Sequence, residues 1–367
     1  MPYVNVDWQL MESFVKDVFI AYGVPADDAA IVTDVLLESD RRGIESHGVN
    51  RFRPVYLERI KSGIQKAVTE ITVVKETPAT AILDGGDGMG QVVSRKAMAI
   101  AIEKAQKLGL GMAVVQNSTH YGIAGYYATM ATKAGCIGIT GTNARPSIAP
   151  TFGVENMLGT NPLTFGIPTD EEFPFVLDCA TSVTQRGRIE YYERLGKETP
   201  AGMVIGRDGS SLTDSAYILN ALVDGAAALA PLGGLGEELA GYKGYGYATV
   251  VEVLSAALAA GPFLRALTGL KDGKRVPFHL GHFFIAIDTE AFVGRAEFEK
   301  CAGDIMRELR ASAKAPGRER IYTAGEKEYL IWRKRKVTGL PLGEDIQKEL
   351  ILTRDELNLT QYRFPFE

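Results

Sequence analysis

ITVVKETPATAILDGGDGMGQVVSRKAMAIAIEKAQKLGLGMAVVQNSTHYG, residues 71–122, decides the fold class. ITVVKE and TAILDG read as strands, being β-branched and apolar with turn residues between them. Residues 91–107 carry apolar positions at helical spacing, and GMAVVQ reads as a strand again. Downstream the alternation continues with a helix over 123–133 and strands at CIGITGTN, LTFGIP, FPFVLD and FFIAID. Strand and helix in turn predict an α/β protein.

The flanks are helical. Asp7 can cap a helix through WQLMESFVKDVFIAY, with Leu10, Phe14, Val15 and Phe19 on one face, and Gly23 ends it. Pro25 opens a second helix, whose stripe is Ala29, Val32, Val35 and Leu36 and which Gly43 closes. Residues 50–61 predict a third helix, 244–260 an apolar one, and 290–313 a long amphipathic one. The C-terminal 40 residues read as charged helix. Residues 194–232 have few periodic features. The expected division is a helical unit of residues 1–75 plus 310–367 and an α/β dinucleotide-binding unit of 76–309. No Pro/Ser linker separates them.

Composition narrows the function. The chain has 367 residues, 46% hydrophobic and 23% charged, with 40 Lys+Arg against 45 Asp+Glu and a net charge of −5. A mildly acidic chain without a basic block is a poor partner for nucleic acid or an anionic membrane. No apolar run reaches the ~18 residues of a membrane span, and no signal peptide is read at the N-terminus. Cys136, Cys179 and Cys301 show no CxxC spacing, which favours a reducing cytoplasm over a disulfide scaffold or thiolate metal site. The 40 glycines are clustered, pointing to tight turns.

Four histidines can be weighed singly. His47, in ESHGVNRF, has Ser46 and Arg51 beside it. A guanidinium forks onto a carboxylate and an imidazole moves a proton near neutrality, so the group suits a 2-hydroxy or 2-oxo acid. The bland alternative is a solvated loop. His120 follows the strand GMAVVQN, at the carboxyl-end position where α/β sheets bind ligands. It is either functional or satisfied by Asn117 or Ser118. His279 and His282 form an HxxH pair without HExxH, so no metal site is expected.

The loop LDGGDGMG lacks GxGxxG order and reads as a tight turn, so the Rossmann fingerprint is absent. GLGEELAGYKGYGYA, residues 234–248, sets Gly241, Gly244 and Gly246 around Lys243 ahead of a helix, an arrangement able to hold a pyrophosphate. Asn143, Thr160 and Asn161 are turn-formers that could also bond a carboxamide or ribose. Asp178, just past an apolar strand, either orients an imidazole or caps a turn.

The runs RRGIESHGVNRF, LDGGDGMGQVV, NSTHYGIAGYYA, GTNPLTFGIPT, FVLDCATS, GYKGYGYA and GHFFIAID together resemble the type-2 malate/L-lactate dehydrogenase family, from about residue 5 to the C-terminus. That family also holds ureidoglycolate dehydrogenase and diketogulonate reductase. The resemblance implies a non-Rossmann dinucleotide fold with a mixed sheet, NAD-dependent (alternatively NADP-dependent) oxidation of a 2-hydroxy acid or the reverse, and a homodimer with its sites near the subunit boundary. It implies His47 as the proton-transfer group, oriented by Asp178, and His120 close to substrate, with the two exchangeable in role. Ser46, Arg51 and Tyr56 fall on the substrate side. Cofactor contacts carry over to Asn143, to Asp178, Cys179, Ala180 and Thr181, to Lys243 and Gly244, and to Gly325 and Glu326 in TAGEKE. After SHGVNRF the chain reads RPVYLERI, one residue longer than many relatives, which leaves Arg51 and Arg53 as alternatives. The run GHFFIAIDTEAF leans toward malate as substrate, with ureidoglycolate and diketogulonate chemistry as alternatives. A non-catalytic dinucleotide binder would require a lesion in the His/Arg/Asp set, and none is seen.

Overall fold

A computed structural model describes residues 3–367. Seven strands form one mixed sheet in the order Thr72–Glu76, Thr80–Asp84, Leu110–Ser118, Leu280–Asp288, Cys136–Thr142, Leu163–Ile167, Phe175–Cys179. Thr80–Asp84 and Leu110–Ser118 run parallel, and the other neighbouring pairs are antiparallel. The central strand thus comes from far down the chain. It enters between two strands that are consecutive in sequence, with His282 opposite Val115 on one side and Thr142 on the other.

Helices Gly90–Leu108 and Ala124–Lys133 cover one face of the sheet, packing Ala97, Met98, Ala101, Tyr127 and Ala131 on Ala113, Val115, Phe284 and Ala286. Helix Gly241–Ala256 covers the other. Small residues bring helix and sheet close: a Cβ on Gly111 would lie 2.1 Å from the Ala101 carbonyl, and one on Gly281 2.0 Å from that of Ser255. At that separation the backbone itself forms the contact surface.

The chain ends share a third layer. Asp7 caps helix Trp8–Ala21 through the Leu10 amide at 3.1 Å. Its buried face is Met11, Phe14, Val15, Val18 and Phe19, with Leu10 at the margin. Helix Ala26–Arg41 follows. Strand Val4–Val6 pairs with Leu340–Leu342, and Phe14 meets Tyr362 and Phe364 edge to face at 5.2 and 5.1 Å.

Three local expectations are corrected. Residues 50–61 are not one α-helix. A 3-10 turn, Val49–Arg51, leads into a π-helix, Phe52–Leu57, and then α-helix Glu58–Lys61. The amide of Glu58 bonds the carbonyl of Arg53, five residues back, which is the bonding of a π-turn. Residues 194–232 contain a helix, Ser215–Asp224, between paired strands Val204–Gly206 and Ala227–Leu229. They pack on Ile148, Leu158 and Ile189. Both helix signals stand in the sequence: Asp214 caps Tyr217, and Gly225 takes φ 71°. The helix expected from residue 290 starts at Arg295, because Gly294 at φ 85° turns the chain after a 3-10 turn at Thr289–Ala291. Among the described residues, no helix is long and apolar enough to cross a membrane.

Candidate active site

Strand pairing brings the carboxyl ends of Thr80–Asp84, Leu110–Ser118, Cys136–Thr142 and Phe175–Cys179 to one edge, where Leu280–Asp288 begins. The glycine loop 85–90 serves this edge as a scaffold. The Gly85 amide bonds the Gln116 carbonyl at 2.9 Å and the Asp87 amide bonds Asn117 at 2.8 Å. The Gly90 amide bonds the Thr119 hydroxyl, which donates to the Gly88 carbonyl. A Cβ on Gly90 would sit 2.4 Å from the Thr119 carbonyl. The tight-turn reading therefore describes this loop: it fixes the turn that carries His120.

His47 comes to the same place from the 3-10 turn Glu45–His47. Its ring lies 5.7 Å from that of His120, centroid to centroid, at an interplanar angle of 17°. Ser46 Oγ is 2.8 Å from His47 Nδ1, and Arg51 Nε donates to the Ser46 carbonyl at 2.7 Å. Tyr56, fully buried, sets its hydroxyl 2.7 Å from Nδ1 of His120. Burial, then the positive charge of Arg51, lowers His47 to about 4. Burial, then His47, Arg59 and Arg51, holds His120 well below its ordinary value. Both imidazoles are thus neutral at physiological pH and able to take a proton. Arg53 points away, paired with Glu356 at 2.8 Å, so Arg51 is the guanidinium beside the histidines.

Asp178 does not reach His47. Its carboxylate accepts from the Gly125 amide at 2.7 Å and the Thr164 hydroxyl at 3.0 Å, and burial raises its pKa. The expected His47–Asp178 hydrogen bond is absent within this chain, because Asp178 sits under helix Ala124–Lys133. It instead lines a cavity of about 320 Å³ with Arg42, Tyr322, Gly325 and Lys327, so two of the expected cofactor regions meet there. Gly325 takes φ 88° and its α-carbon abuts Val176. Glu326 is fully buried, its carboxylate held by the Thr323 amide at 3.1 Å and by Arg320; it shapes the turn and offers no free oxygen to the cavity.

Of the remaining expected residues, Asn143 and Thr181 are engaged by groups of the chain itself. Asn143 accepts from the Gly281 amide at 2.8 Å and donates to the Pro262 carbonyl at 3.3 Å. Thr181 donates to the Thr160 and Asn161 carbonyls, and the half-buried Cys179 faces the Leu163 carbonyl. Ala180 is half-buried between them. Asn161 donates to Glu252 at 2.8 Å. Gly244 lets its helix touch the loop below, since a Cβ there would lie 2.2 Å from the Leu232 carbonyl. Lys243 is exposed on the first turn of that helix.

The HxxH pair splits. His279 faces Asp87 at 2.8 Å, while His282 is buried against Thr142 and stacks on Tyr121 at 4.6 Å. No metal-ligating group of three or more side chains occurs among the described residues.

Sequence reasoning missed Asp40. Its buried carboxylate accepts the Val49 amide at 2.8 Å, directly under the His47 turn. The signal was its place four residues after Leu36, on the apolar stripe.

The family model described as malate/L-lactate dehydrogenase matches residues 6–351. A malate dehydrogenase of Pyrococcus horikoshii is 42% identical over 348 residues, 95% of this chain and 94% of that one. The crystal structure of malate dehydrogenase from Entamoeba histolytica superposes with TM-score 0.93 at 43% identity, covering 97% of this chain and 98% of that one. The NAD(+) ureidoglycolate dehydrogenase of Escherichia coli K12 is 30% identical over 98% of both chains. The chain belongs to the malate/L-lactate dehydrogenase family.

Proposed function

We propose that this enzyme oxidises malate, or reduces its 2-oxo counterpart, with NAD, NADP being the alternative cofactor. The observation that carries the reading is the neutral imidazole pair, His47 and His120, with Arg51 beside it. Arg51 takes the C1 carboxylate through its planar fork. His47 accepts the C2 hydroxyl proton during oxidation and returns it on reduction. An arriving carboxylate offsets the charge of Arg51 and raises the His47 pKa toward neutrality, where proton transfer is most effective. Ser46 orients the His47 ring, and Tyr56 orients that of His120.

The hydride acceptor is supplied by a bound nicotinamide dinucleotide. The cavity beside Asp178 and Gly325 suits part of it, with Arg42 and Lys327 in its wall. Lys243, exposed near a helix start, is a further phosphate contact. The helical chain ends (1–75 with 310–367) form the substrate-side unit of a homodimer, and 76–309 the cofactor unit. The three free cysteines support a cytoplasmic setting.

The test is a nicotinamide-absorbance assay offering malate, lactate and ureidoglycolate with each cofactor. Malate should give the highest kcat/KM. Turnover of lactate or ureidoglycolate above malate would overturn the substrate.

A further inference from the structure

Eight arginines are half-buried: Arg41, Arg42, Arg51, Arg53, Arg59, Arg310, Arg335 and Arg354. Six of them meet a carboxylate. The two that do not, among the described residues, are Arg51 and Arg59, and the charges of both bear on His120. A desolvated guanidinium without a counter-ion is costly, so two at one place mark a site where anionic groups arrive from outside.

Arg59 is positioned by the helical irregularity. Arg51 caps the π-helix that carries Tyr56, and the charges of Arg59 and Arg51 both bear on the Tyr56 hydroxyl. Arg59 follows Tyr56 by three positions, the next place on its helical face. Its guanidinium lies over the ring of Phe278, 4.7 Å from the centroid, which holds the fork flat and leaves its edge free. Burial, together with Arg275 and Arg51, lowers its affinity for its own proton, and the one group acting oppositely is Tyr56. The charge of Arg59 also bears on His120, and no salt bridge to Arg59 occurs among the described residues.

We propose that Arg59 receives the second anionic group of the substrate, the one remote from C2, while Arg51 holds the C1 carboxylate. Arg59 is then the residue that makes the enzyme prefer a dianionic 2-hydroxy acid to a monoanionic one of equal length. The inference rests on the reaction assigned above. Its chemistry is a fork that bonds a carboxylate or sulfonate and leaves a methyl group unmatched.

The experiment compares L-malate with L-2-hydroxybutyrate, in which a methyl replaces the distal carboxylate. Arg59→Gln should lower kcat/KM for malate by roughly 10- to 100-fold, the factor a charge-assisted hydrogen bond supplies. It should leave the value for 2-hydroxybutyrate within about threefold, whereas Arg51→Gln should lower both. Arg59→Lys should recover part of the malate preference. Equal losses on both acids, or none on malate, overturn the proposal. A readout without turnover separates this claim from the reaction itself: malonate, a dianion that cannot be oxidised, should raise the melting temperature of the wild type and not that of Arg59→Gln. If the wild type oxidises no acid yet shows this difference, the reaction fails and the anion site stands. If neither malonate nor malate stabilises the wild type, the anion site fails. An Arg59→Gln protein that does not fold leaves the Arg59→Lys substrate ratio to decide: a malate preference lowered but not abolished supports the site, and an unchanged preference or equal losses on both acids overturn it.

Discussion

The hydroxyl of Tyr56 lies 2.7 Å from Nδ1 of His120, and the Gly122 amide approaches the same nitrogen at 3.3 Å. A backbone N–H can only donate, so Nδ1 accepts and the ring proton sits on Nε2. Tyr56→Phe keeps the ring and removes this partner. Leaving a buried acceptor short of a hydrogen bond costs about 1–3 kcal/mol, and the imidazole gains freedom to rotate. Turnover should fall by about tenfold with dinucleotide affinity unchanged. Unaltered kcat would mean that the phenol only fills space.

His47→Gln should lower kcat by about 10² or more, the usual size of general acid–base help. In the free wild-type enzyme His47 titrates near 4, held down by burial and then by Arg51. The acid limb of kcat/KM should therefore lie well below the ordinary histidine range. Neutralising Arg51 removes a positive neighbour, so Arg51→Gln should move that limb upward. A limb that stays fixed in this variant would assign the titration to another group.

Asp40 predicts a stability change of defined sign. Burial raises its pKa to about 8, with the Val49 amide, Arg335 and Arg41 opposing and Glu45 adding to the shift. The folded state binds this proton more tightly than the unfolded chain, so the contribution is fully present below about pH 4 and is lost as pH rises through about 8. His47 and His282, both lowered by burial, act in the opposite direction below about pH 6.5. The difference between wild type and Asp40→Asn isolates the aspartate. Asparagine keeps an acceptor for Val49 and carries no charge. The variant should melt close to wild type near pH 5 and increasingly above it toward pH 9. Parallel melting curves across that range would remove the buried charge as the cause.

The glycines of GYKGYGYA separate by position. Gly244 has no room, with Leu232 backbone atoms 2.2 and 2.4 Å from a would-be Cβ. Gly246 has nothing within 4 Å and lies inside helix Gly241–Ala256. Gly246→Ala should stabilise by about 0.5–1 kcal/mol through helix propensity, and Gly244→Ala should destabilise. Thermal melts of the two variants check the contrast; the same sign for both would contradict the packing.

Strand and helix alternation, the Asp7 cap, the stripes of the first two helices and the tight turn at residues 85–90 were all legible in the sequence. Each depends on residues within a turn or two of one another, where propensity and capping act. The resemblance carried His47, His120 and Arg51 to one site, and they do lie together. What only the tertiary structure decided was long-range. Leu280–Asp288 enters the sheet between Leu110–Ser118 and Cys136–Thr142 because its two faces fit both helical layers, and no local pattern encodes that choice. Asp178, Asn143 and Glu326 carry the side chains a cofactor site would use, yet each is engaged by backbone groups or by residues far along the chain. Arg53 and Arg59 look equivalent as single charges on a helix. Folding pairs one with Glu356 and leaves the other without a counter-ion beside His120, because the π-turn sets which face each presents.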